Sequence, residues 1–473
     1  MQGSLSPSIT AVLPTWMGQQ RWYAGKGRVP ALRWIGGLRL LDPAGEVDID
    51  VHLLRDESGQ TPTTYQVPLT SRGARLAGAD HALIAKVQDS GPGTRYIYDA
   101  PHDPVFAAAL LRLILDEATA ASDGAQSSPV AGGHRAAGAD PGRLLTSRVL
   151  NGEQSNTSII LDLVDALGEP SNPLICKLFR VWHDGENPDV VVQSALAAAG
   201  STRVPKPVGN IGGEWPDAGA PSGIARGHLA FAQEFLPGVD DAWRAALVAV
   251  ASGADFSERA RSLGRATAEV HASLAQAMGT RGATEDDVVA LTRSMRARHA
   301  AAVSEVPALA EFDSMVRESI EAVSSATWPA LQRIHGDYHL GQVLDVPNRG
   351  WVLVDFEGEP LRPLAERTRP DLALRDVAGM LRSFDYVAGS WEQAHPGGSA
   401  SSWATRACTA FLHGYAQSAR RDPRQDVELL NALELDKALY EVVYEARNRP
   451  TWLAIPTTAI ARLSAGPRSD LPL

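Results

Sequence analysis

The first part of the chain alternates short apolar runs with turn residues. Such runs are typical of β-strands that bury one face. We therefore predict a mostly β domain over residues 1–118, which ends in a helix at 103–118 where apolar residues recur at helical spacing. The predicted strands span residues 32–41, 47–54, 64–69 and 82–87.

Three aromatic residues precede the first predicted strand, near a Gly-Lys-Gly turn at residues 25–27. Trp16, Trp22 and Tyr23 either pack in the core or belong to a lid that closes over a ligand. Large aromatic side chains are mostly buried in folded proteins, so we favour packing.

Residues 119–143 consist largely of Ala, Ser, Gly, Pro and Asp. Such a composition offers almost nothing to bury, which predicts a flexible linker.

Residues 144–240 return to strand character, and a lone lysine, Lys177, interrupts the apolar run 173–179. An unpaired ammonium is costly to bury, so Lys177 needs an anionic partner such as a phosphate, unless it lies on an edge strand. The polar turn at 152–158 offers N–H groups and hydroxyls to phosphates but lacks the Gly-Lys-Ser/Thr ending of a Walker A loop. Further predicted elements are a helix from Pro188 to about residue 199, strands at 203–208 and 228–235, and a loop at 212–223.

Helical periodicity dominates residues 241–473. The predicted helices cover residues 243–251, 257–277, 285–303, 307–325, 370–388, 402–419 and 425–448. A strand–loop–strand insertion at 332–359 interrupts them and carries acids at its ends. A helical bundle alone gives no reason for such an insertion, so we expect the chemistry there.

Within the insertion, Asp337, Gln342 and Asp355 are predicted to converge on one point. Phosphoryl transfer requires a positioned nucleophile and a Mg²⁺ ion held by carboxylate and amide oxygens. Asp337 can accept the proton of a substrate hydroxyl, while Gln342 and Asp355 can bind the metal. His335 is expected to support the loop rather than to react.

Composition narrows the alternatives. The 473 residues are 44% hydrophobic, the formal charge is −11, and no apolar run approaches the about 20 residues of a membrane span. We expect a cytoplasmic monomer that binds neither membrane nor nucleic acid, because no basic cluster and no export signal are present. Cys176 and Cys408 show no metal-ligand spacing, so two buried thiols are expected.

Several motifs together resemble the aminoglycoside phosphotransferase-like kinases, and within them the actinobacterial maltokinases and glucosamine kinases. They are the Lys177 strand, the 233–238 hinge, His335-Gly-Asp337-Tyr-His-Leu-Gly-Gln342, Asp355-Phe-Glu357 and Tyr444-Glu-Ala-Arg-Asn-Arg-Pro450. The resemblance covers nearly the whole chain. It implies an α+β, protein-kinase-like two-lobed fold with an N-terminal mostly β cap: cap 1–118, linker 119–143, nucleotide-binding intermediate lobe 144–240 and helical C-lobe 241–473.

The same resemblance implies a site. Asp337 is then the catalytic base, and Gln342 and Asp355 bind Mg²⁺. ATP, the co-substrate, is bound by a larger set: Lys177, Ser155, Asn156, Thr157, Gln233, Glu234, Phe235 and Leu236. Maltokinases usually carry an acid at the position of Val191 that pairs with the nucleotide lysine. Here either Asp189 substitutes or the pair is absent.

Acids on the last predicted helix suggest the sugar site. Glu441 and Glu445 lie four residues apart and repel each other unless a cation such as Arg447 or Lys437 lies beside them. Either the acids form a solvated face, or they bind hydroxyls or an amine. The predicted sugar-binding residues are Asp337, His339, Asp436, Glu441, Glu445 and Asn448.

Desolvated acids favour an amino sugar over a neutral disaccharide. The predicted activity is therefore an ATP-dependent sugar kinase that converts glucosamine to glucosamine phosphate, with the 6-phosphate preferred. Maltokinase activity, which yields maltose 1-phosphate, and aminoglycoside phosphotransferase activity are the alternatives. A pseudokinase is disfavoured because the acids are present, and a two-metal hydrolase because more ligands would be needed.

Overall fold

The computed structural model describes residues 5–88, 93–121, 129–150, 155–217, 219–360 and 362–464. The chain forms two compact units. The first comprises Met1–Ser194 with Pro205–Pro237, and the second comprises Ala195–Val204 with Gly238–Leu473. The separate cap predicted for residues 1–118 stays a prediction, since the first unit contains that segment together with the strands that follow.

The first unit begins with helix α1 (Pro7–Gln19) and an antiparallel sheet in the order β1-β2-β3-β5-β4. Its strands are β1 (Leu32–Leu40), β2 (Val47–Asp56), β3 (Thr63–Arg72), β4 (Leu83–Gln88) and β5 (Thr94–Asp99). The four predicted strands are confirmed, whereas α1 and β5 were not predicted. Trp22 and Tyr23 are buried in the core of this sheet, and Trp16 packs against them, which confirms the packing interpretation.

Helix α2 (Pro104–Leu115) confirms the predicted helix. Asp103 caps it, since its side chain accepts a hydrogen bond from the Val105 N–H, and Pro104 occupies the first turn, where its missing N–H costs nothing. Arg72 donates two hydrogen bonds, of 2.6 and 2.7 Å, to the same carboxylate, and these bonds connect the start of the helix to β3.

A second, seven-stranded sheet has the order β6-β7-β12-β13-β10-β9-β8. Its strands are β6 (Thr119–Ala121), β7 (Val130–Arg135), β8 (Arg143–Val149), β9 (Asn156–Val164), β10 (Pro170–Phe179), β12 (Pro207–Pro216) and β13 (Ile224–Glu234). The short β11 (Val181–Trp182) pairs with β3, and helix α3 (Pro188–Ala198) confirms the helix predicted at Pro188.

The segment predicted as a linker differs from the prediction, because it contains β6 and β7. One of its glycines, Gly133, serves close packing rather than flexibility. A Cβ on Gly133 would meet the Leu113 carbonyl oxygen of α2 at 1.8 Å, so only glycine lets β7 lie this close to the helix. Part of the predicted linker, residues 122–128, lies outside the described residues.

The strand predicted at 203–208 and the loop predicted at 212–223 are wrong in their limits, because a single strand, β12, runs from Pro207 to Pro216. Gly212 and Gly213 were interpreted as loop residues. They lie within β12, where they pair with β7 and β13.

The second unit is mainly helical. Its helices are α4 (Ala242–Ser252), α5 (Ser257–Met278), α6 (Glu285–Glu305), α7 (Asp313–Ser325), α8 (Leu364–Arg367), α9 (Leu374–Ala394), α10 (Ser401–Ser418), α11 (Val427–Asn448) and α12 (Ala454–Ser464). The predicted helices are confirmed, except that residues 307–312 form a 3₁₀ turn before α7. Helices α8 and α12 were not predicted.

Short strands interrupt these helices. The strands β14 (Thr280–Arg281) and β15 (Leu331–Gln332) pair antiparallel, as do β16 (Val343–Val346) and β17 (Gly350–Leu353). Strands β15, β16 and β17 lie at or within the insertion predicted at 332–359, whereas β14 was not predicted. The β16–β17 hairpin turns at Asn348, whose φ of 62° is left-handed. This hairpin carries the chain from Gln342 back to Asp355.

Among the described residues, no helix is both long and apolar enough to cross a membrane. Cys176 and Cys408 are buried thiols, as predicted.

Candidate active site

Lys177 lies on β10, a central strand of the second sheet, and its side chain is buried. Its Nζ is 2.8 Å from Oδ2 of Asp189, in the first turn of α3. The other oxygen of Asp189 accepts a hydrogen bond from Gln193, one turn later. Asp189 therefore takes the place of the acid missing at Val191, and the alternative that the pair is absent is wrong.

The residues predicted to meet phosphates, Ser155 to Thr157, lie just before or at the start of β9 and differ in exposure. Ser155 is exposed, but the Thr157 hydroxyl is buried and accepts a hydrogen bond of 2.8 Å from Arg180. Arg180 is fully buried, pairs with Asp99 and lies over the Trp22 ring at 4.6 Å. Thr157 therefore holds Arg180 in this structure. The start of the predicted turn, residues 151–154, lies outside the described residues.

The predicted hinge follows the end of β13. The N–H of Glu234 donates to the Lys206 carbonyl at 2.8 Å, and the N–H of Phe235 donates to the Pro173 carbonyl at 2.9 Å. These two amides are used inside the first unit, so they are not the donors that would meet adenine. The side chain of Gln233 is buried.

In the second unit, a buried carboxylate holds the backbone of the loop around Asp337. Asp376 of α9 accepts hydrogen bonds from the N–H groups of His335 (2.8 Å) and Gly336 (2.9 Å). It also lies 3.0 Å from Nε2 of His271, whose Nδ1 meets the Tyr415 hydroxyl. Burial acts to raise the pKa of Asp376, but the His271 ring and the Gly336 amide are among the groups that outweigh it and hold that pKa below its ordinary value.

The loop conformation depends on Gly336, whose φ is 83°. This left-handed geometry favours glycine, and a Cβ there would also lie 3.3 Å from the Cα of Gly358. His335 supports the loop, as predicted, because its Nε2 lies 2.9 Å from the Val354 carbonyl oxygen and its ring packs on Phe356.

The β16–β17 hairpin brings the two predicted metal ligands together. Nε2 of Gln342 donates to Oδ2 of Asp355 at 2.9 Å. Asp355 has a φ of 67°, a strained value for a residue with a side chain and one that is common at functional sites. An amide oxygen and a carboxylate are hard donors of the kind Mg²⁺ prefers, so this pair fits the metal expected for the reaction.

The side chain of Asp337 has a partner that the sequence did not predict. Nζ of Lys437, on α11, lies 2.9 Å from Oδ1 of Asp337 and 2.9 Å from Oε1 of Glu359. Burial acts to lower the pKa of Lys437, but the two carboxylates outweigh it and raise that pKa above its ordinary value. The lysine is therefore a fixed ammonium.

The acids predicted to bind sugar are buried and paired with arginines. Asp436 accepts from Arg298 and Arg375, Glu441 from Arg382, and Glu445 from Arg449. The solvated-face alternative is thus wrong, and so is Arg447 as the cation beside Glu441 and Glu445, because it pairs with Glu305. Lys437 pairs with Asp337 and Glu359, and its charge also opposes the rise that burial causes in the pKa of Glu441.

The two remaining predicted sugar ligands differ in exposure. Asn448 is exposed, and its side-chain amide donates to the Tyr444 carbonyl at 2.8 Å. His339 is partly buried, and its Nδ1 accepts from the Gly341 N–H at 3.1 Å. Burial lowers the pKa of His339, so its imidazole is neutral near pH 7.

Sequence reasoning missed Lys437 as the partner of Asp337, Glu359 as the second partner of that lysine, and Asp376 as the anchor of the loop. Glu359 lies in the predicted insertion, and Asp376 and Lys437 lie on predicted helices. Their roles depend on contacts between residues 40 to 100 positions apart along the chain, which no local pattern reveals.

A buried lysine–carboxylate pair in the first unit, and Asp337 with the Gln342–Asp355 pair in the second, are the kinds of group that a kinase-like phosphotransferase requires. The sequence model of the phosphotransferase enzyme family matches residues 189–427, about half of the chain. The chain belongs to that family. The maltokinase N-terminal cap domain matches residues 16–103.

Two glucosamine kinases are similar to the chain in sequence. The chain is 28% identical over 338 residues to a glucosamine kinase of Streptacidiphilus jiangxiensis, covering 66% of this chain and 72% of the relative. It is 29% identical over 342 residues to a glucosamine kinase of Mycolicibacterium smegmatis (strain ATCC 700084 / mc(2)155), covering 67% and 79%.

Solved structures show the same fold. A glucosamine kinase in complex with glucosamine, ADP and inorganic phosphate matches with a TM-score of 0.64 at 23% identity, covering 98% of this chain and 100% of that one. Crystal form B of glucosamine kinase matches with a TM-score of 0.65 at 24% identity, covering 96% and 99%. These matches confirm the predicted kinase-like fold with an N-terminal β-rich region.

Proposed function

We propose that the protein is an ATP-dependent sugar kinase that phosphorylates glucosamine. The reaction class rests on one observation above all: the Gln342–Asp355 oxygen pair occurs in the same unit as an aspartate, Asp337, whose loop is anchored by buried hydrogen bonds. The choice of glucosamine rests on the two relatives, each of which aligns with about two thirds of the chain.

In this proposal each residue has a distinct task. Asp337 accepts the proton of the acceptor hydroxyl as the oxygen attacks the terminal phosphorus of ATP. Gln342 and Asp355 hold Mg²⁺, which when bound neutralises charge on the phosphates. Lys177, oriented by Asp189, contacts the ATP phosphates.

The hinge at Gln233–Leu236 meets adenine through backbone groups other than the two amides engaged with Lys206 and Pro173. Ser155 and Asn156 remain proposed phosphate contacts.

The negative charge of the acids on α11 is weaker support for an amino sugar than the sequence alone suggested. Because Asp436, Glu441 and Glu445 each have an arginine partner, they hold those arginines in place and do not present a net negative surface to an amine. Of the predicted sugar ligands, Asp337, His339 and Asn448 are the ones that we still propose as direct contacts of the sugar. Recognition of an amine then depends on hydrogen-bond geometry more than on charge.

Maltokinase is the second candidate, and the match of the maltokinase cap domain to residues 16–103 favours it. An ADP-release assay with glucosamine, maltose, glucose and kanamycin separates the candidates. We expect the highest kcat/KM with glucosamine and a single phosphorylated position by ³¹P NMR. A higher kcat/KM with maltose than with glucosamine would show that the proposed activity is wrong and that the protein is a maltokinase.

A matched pair of variants tests the base. Asp337→Asn should lower kcat by about 10²–10⁴-fold, the usual contribution of a general base. Asp345→Asn is the control, because Asp345 is a partly exposed acid on the nearby β16 that pairs with Arg259. Full activity in Asp337→Asn would remove Asp337 from this role.

A further inference from the structure

A chain of alternating charges runs through the second unit and ends on Asp337. Arg375 joins Asp436 (3.0 Å) to Asp371 (2.7 Å), and Arg362 joins Asp371 (3.6 Å) to Glu359 (3.0 Å). Lys437 then joins Glu359 to Asp337, at 2.9 Å each. Glu359 is therefore neutralised from both sides.

Lys437 bridges a buried carboxylate and a partly exposed one. Glu359 is 2% exposed and is already paired with Arg362 on its other side. The ammonium also lies beside Oδ1 of Asp337, whose side chain is 21% exposed and is the proposed base. The ring of Tyr440, one turn later on α11, lies 4.8 Å from Nζ and restricts the lysine further.

Two helices thus fix the two ends of the base. Asp376 of α9 holds the backbone just before Asp337, and Lys437 of α11 holds one oxygen of its side chain. Helices α9 and α11 pack directly against each other. An aspartate side chain has two rotatable bonds, and these contacts restrain both ends of it.

We propose that Lys437 is a positioning residue for phosphoryl transfer, which holds Oδ1 of Asp337 so that Oδ2 accepts the proton of the acceptor hydroxyl. The acceptor oxygen forms its bond to the terminal phosphorus, the bond from that phosphorus to the bridging oxygen breaks, and ADP leaves. This inference rests on the base role of Asp337 in the proposed function. It assigns the lysine no contact with the sugar.

The expected loss of kcat in a Lys437 variant follows from the position in which the lysine holds Asp337. A misplacement of about 1 Å in a reacting group costs about 10²-fold in rate. Lys437→Met should therefore lower kcat about 10²-fold and leave the KM for ATP within about threefold. Because this variant leaves Glu359 with one cation fewer, Lys437→Met/Glu359→Gln is a second variant that removes the lysine together with its buried partner.

A double-mutant cycle tests whether the lysine acts through the base. Single-turnover rates are measured for the wild type, Asp337→Asn, Lys437→Met and the combination of the two, with thermal melting of each as a check of folding. Lys86→Met, an exposed lysine on β4, is the control and should keep the wild-type rate.

We expect Lys437→Met to have less than about threefold effect once Asp337 is Asn, because the interaction that it disrupts is already lost. An equal loss in both backgrounds would overturn the proposal, as would wild-type kcat in Lys437→Met or in the Glu359→Gln double variant. The cycle is run with whichever acceptor of the sugar panel supports turnover, and with water as the acceptor if none does. An inactive sugar panel therefore counts against the proposed function, while the cycle still decides the role of Lys437.

Discussion

Removal of the Asp376 carboxylate should detach the loop that precedes Asp337 from α9. This side chain, 1% exposed, accepts hydrogen bonds from the N–H groups of His335 and Gly336 and from the His271 ring. Asp376→Ala leaves all three donors without that acceptor. Asp376→Asn keeps the shape but places an NH₂ group opposite at least one of them.

The size of the effect follows from the donors that lose their partner. An unsatisfied buried donor costs about 1–3 kcal/mol, so the two peptide N–H groups alone cost about 2–6 kcal/mol in Asp376→Ala. That is a large fraction of the about 5–15 kcal/mol that stabilises a typical domain. Asp376→Asn should lose about half as much. Because Asp337 follows Gly336, kcat should fall about 10²-fold or more in both variants.

Two measurements check this prediction. Urea unfolding gives the loss of stability, and hydrogen–deuterium exchange of peptides spanning residues 331–342 reports the loop directly. Asp80→Ala is the control, since that carboxylate is 73% exposed and its pair with Arg75 should contribute less than about 1 kcal/mol. Unchanged exchange in the loop of Asp376→Ala, or an unchanged kcat, would refute the anchoring role.

Four further outcomes are expected. Asp355→Asn should weaken MgADP binding at least about 10-fold by calorimetry, and an unchanged affinity would take Asp355 out of the metal role. Arg180→Met should cost about 3–5 kcal/mol in urea unfolding, because it leaves Asp99 buried without its cation; a smaller loss would show that water or another group compensates. Burial lowers the pKa of His52 to about 4. The free energy of unfolding should therefore fall by about 3 kcal/mol as the pH drops from 6.5 toward 4, because the unfolded chain binds a proton that the folded protein excludes. His52→Gln should reduce this dependence of stability on pH. Burial raises the pKa of Cys176 to about 12, so Ellman's reagent should react with this thiol only after unfolding, and rapid labelling of the native protein would contradict its burial.

The sequence predicted secondary structure correctly where the pattern of residues within a single helix or strand was sufficient. Strand β2 (Val47–Asp56) follows from alternation, and helix α2 follows from helical spacing and an Asp-Pro start, because these patterns depend only on near neighbours. Composition misled where glycine has a packing role. At Gly133 the absence of a side chain permits a strand to approach a helix, and composition alone cannot distinguish that from a flexible linker.

By itself, the sequence determined the secondary structure of most segments and pointed to the Asp337 loop and to the Gln342–Asp355 pair as candidate site residues, because short motifs encode turns and side-chain chemistry locally. Only the tertiary structure decided which charge neutralises which. It pairs Lys177 with Asp189, gives the acids of α11 arginine partners, and directs Lys437 to Asp337. The reason is physical: a buried charge is satisfied by whatever opposite charge the fold brings within about 3 Å, and that partner can lie a hundred residues away along the chain.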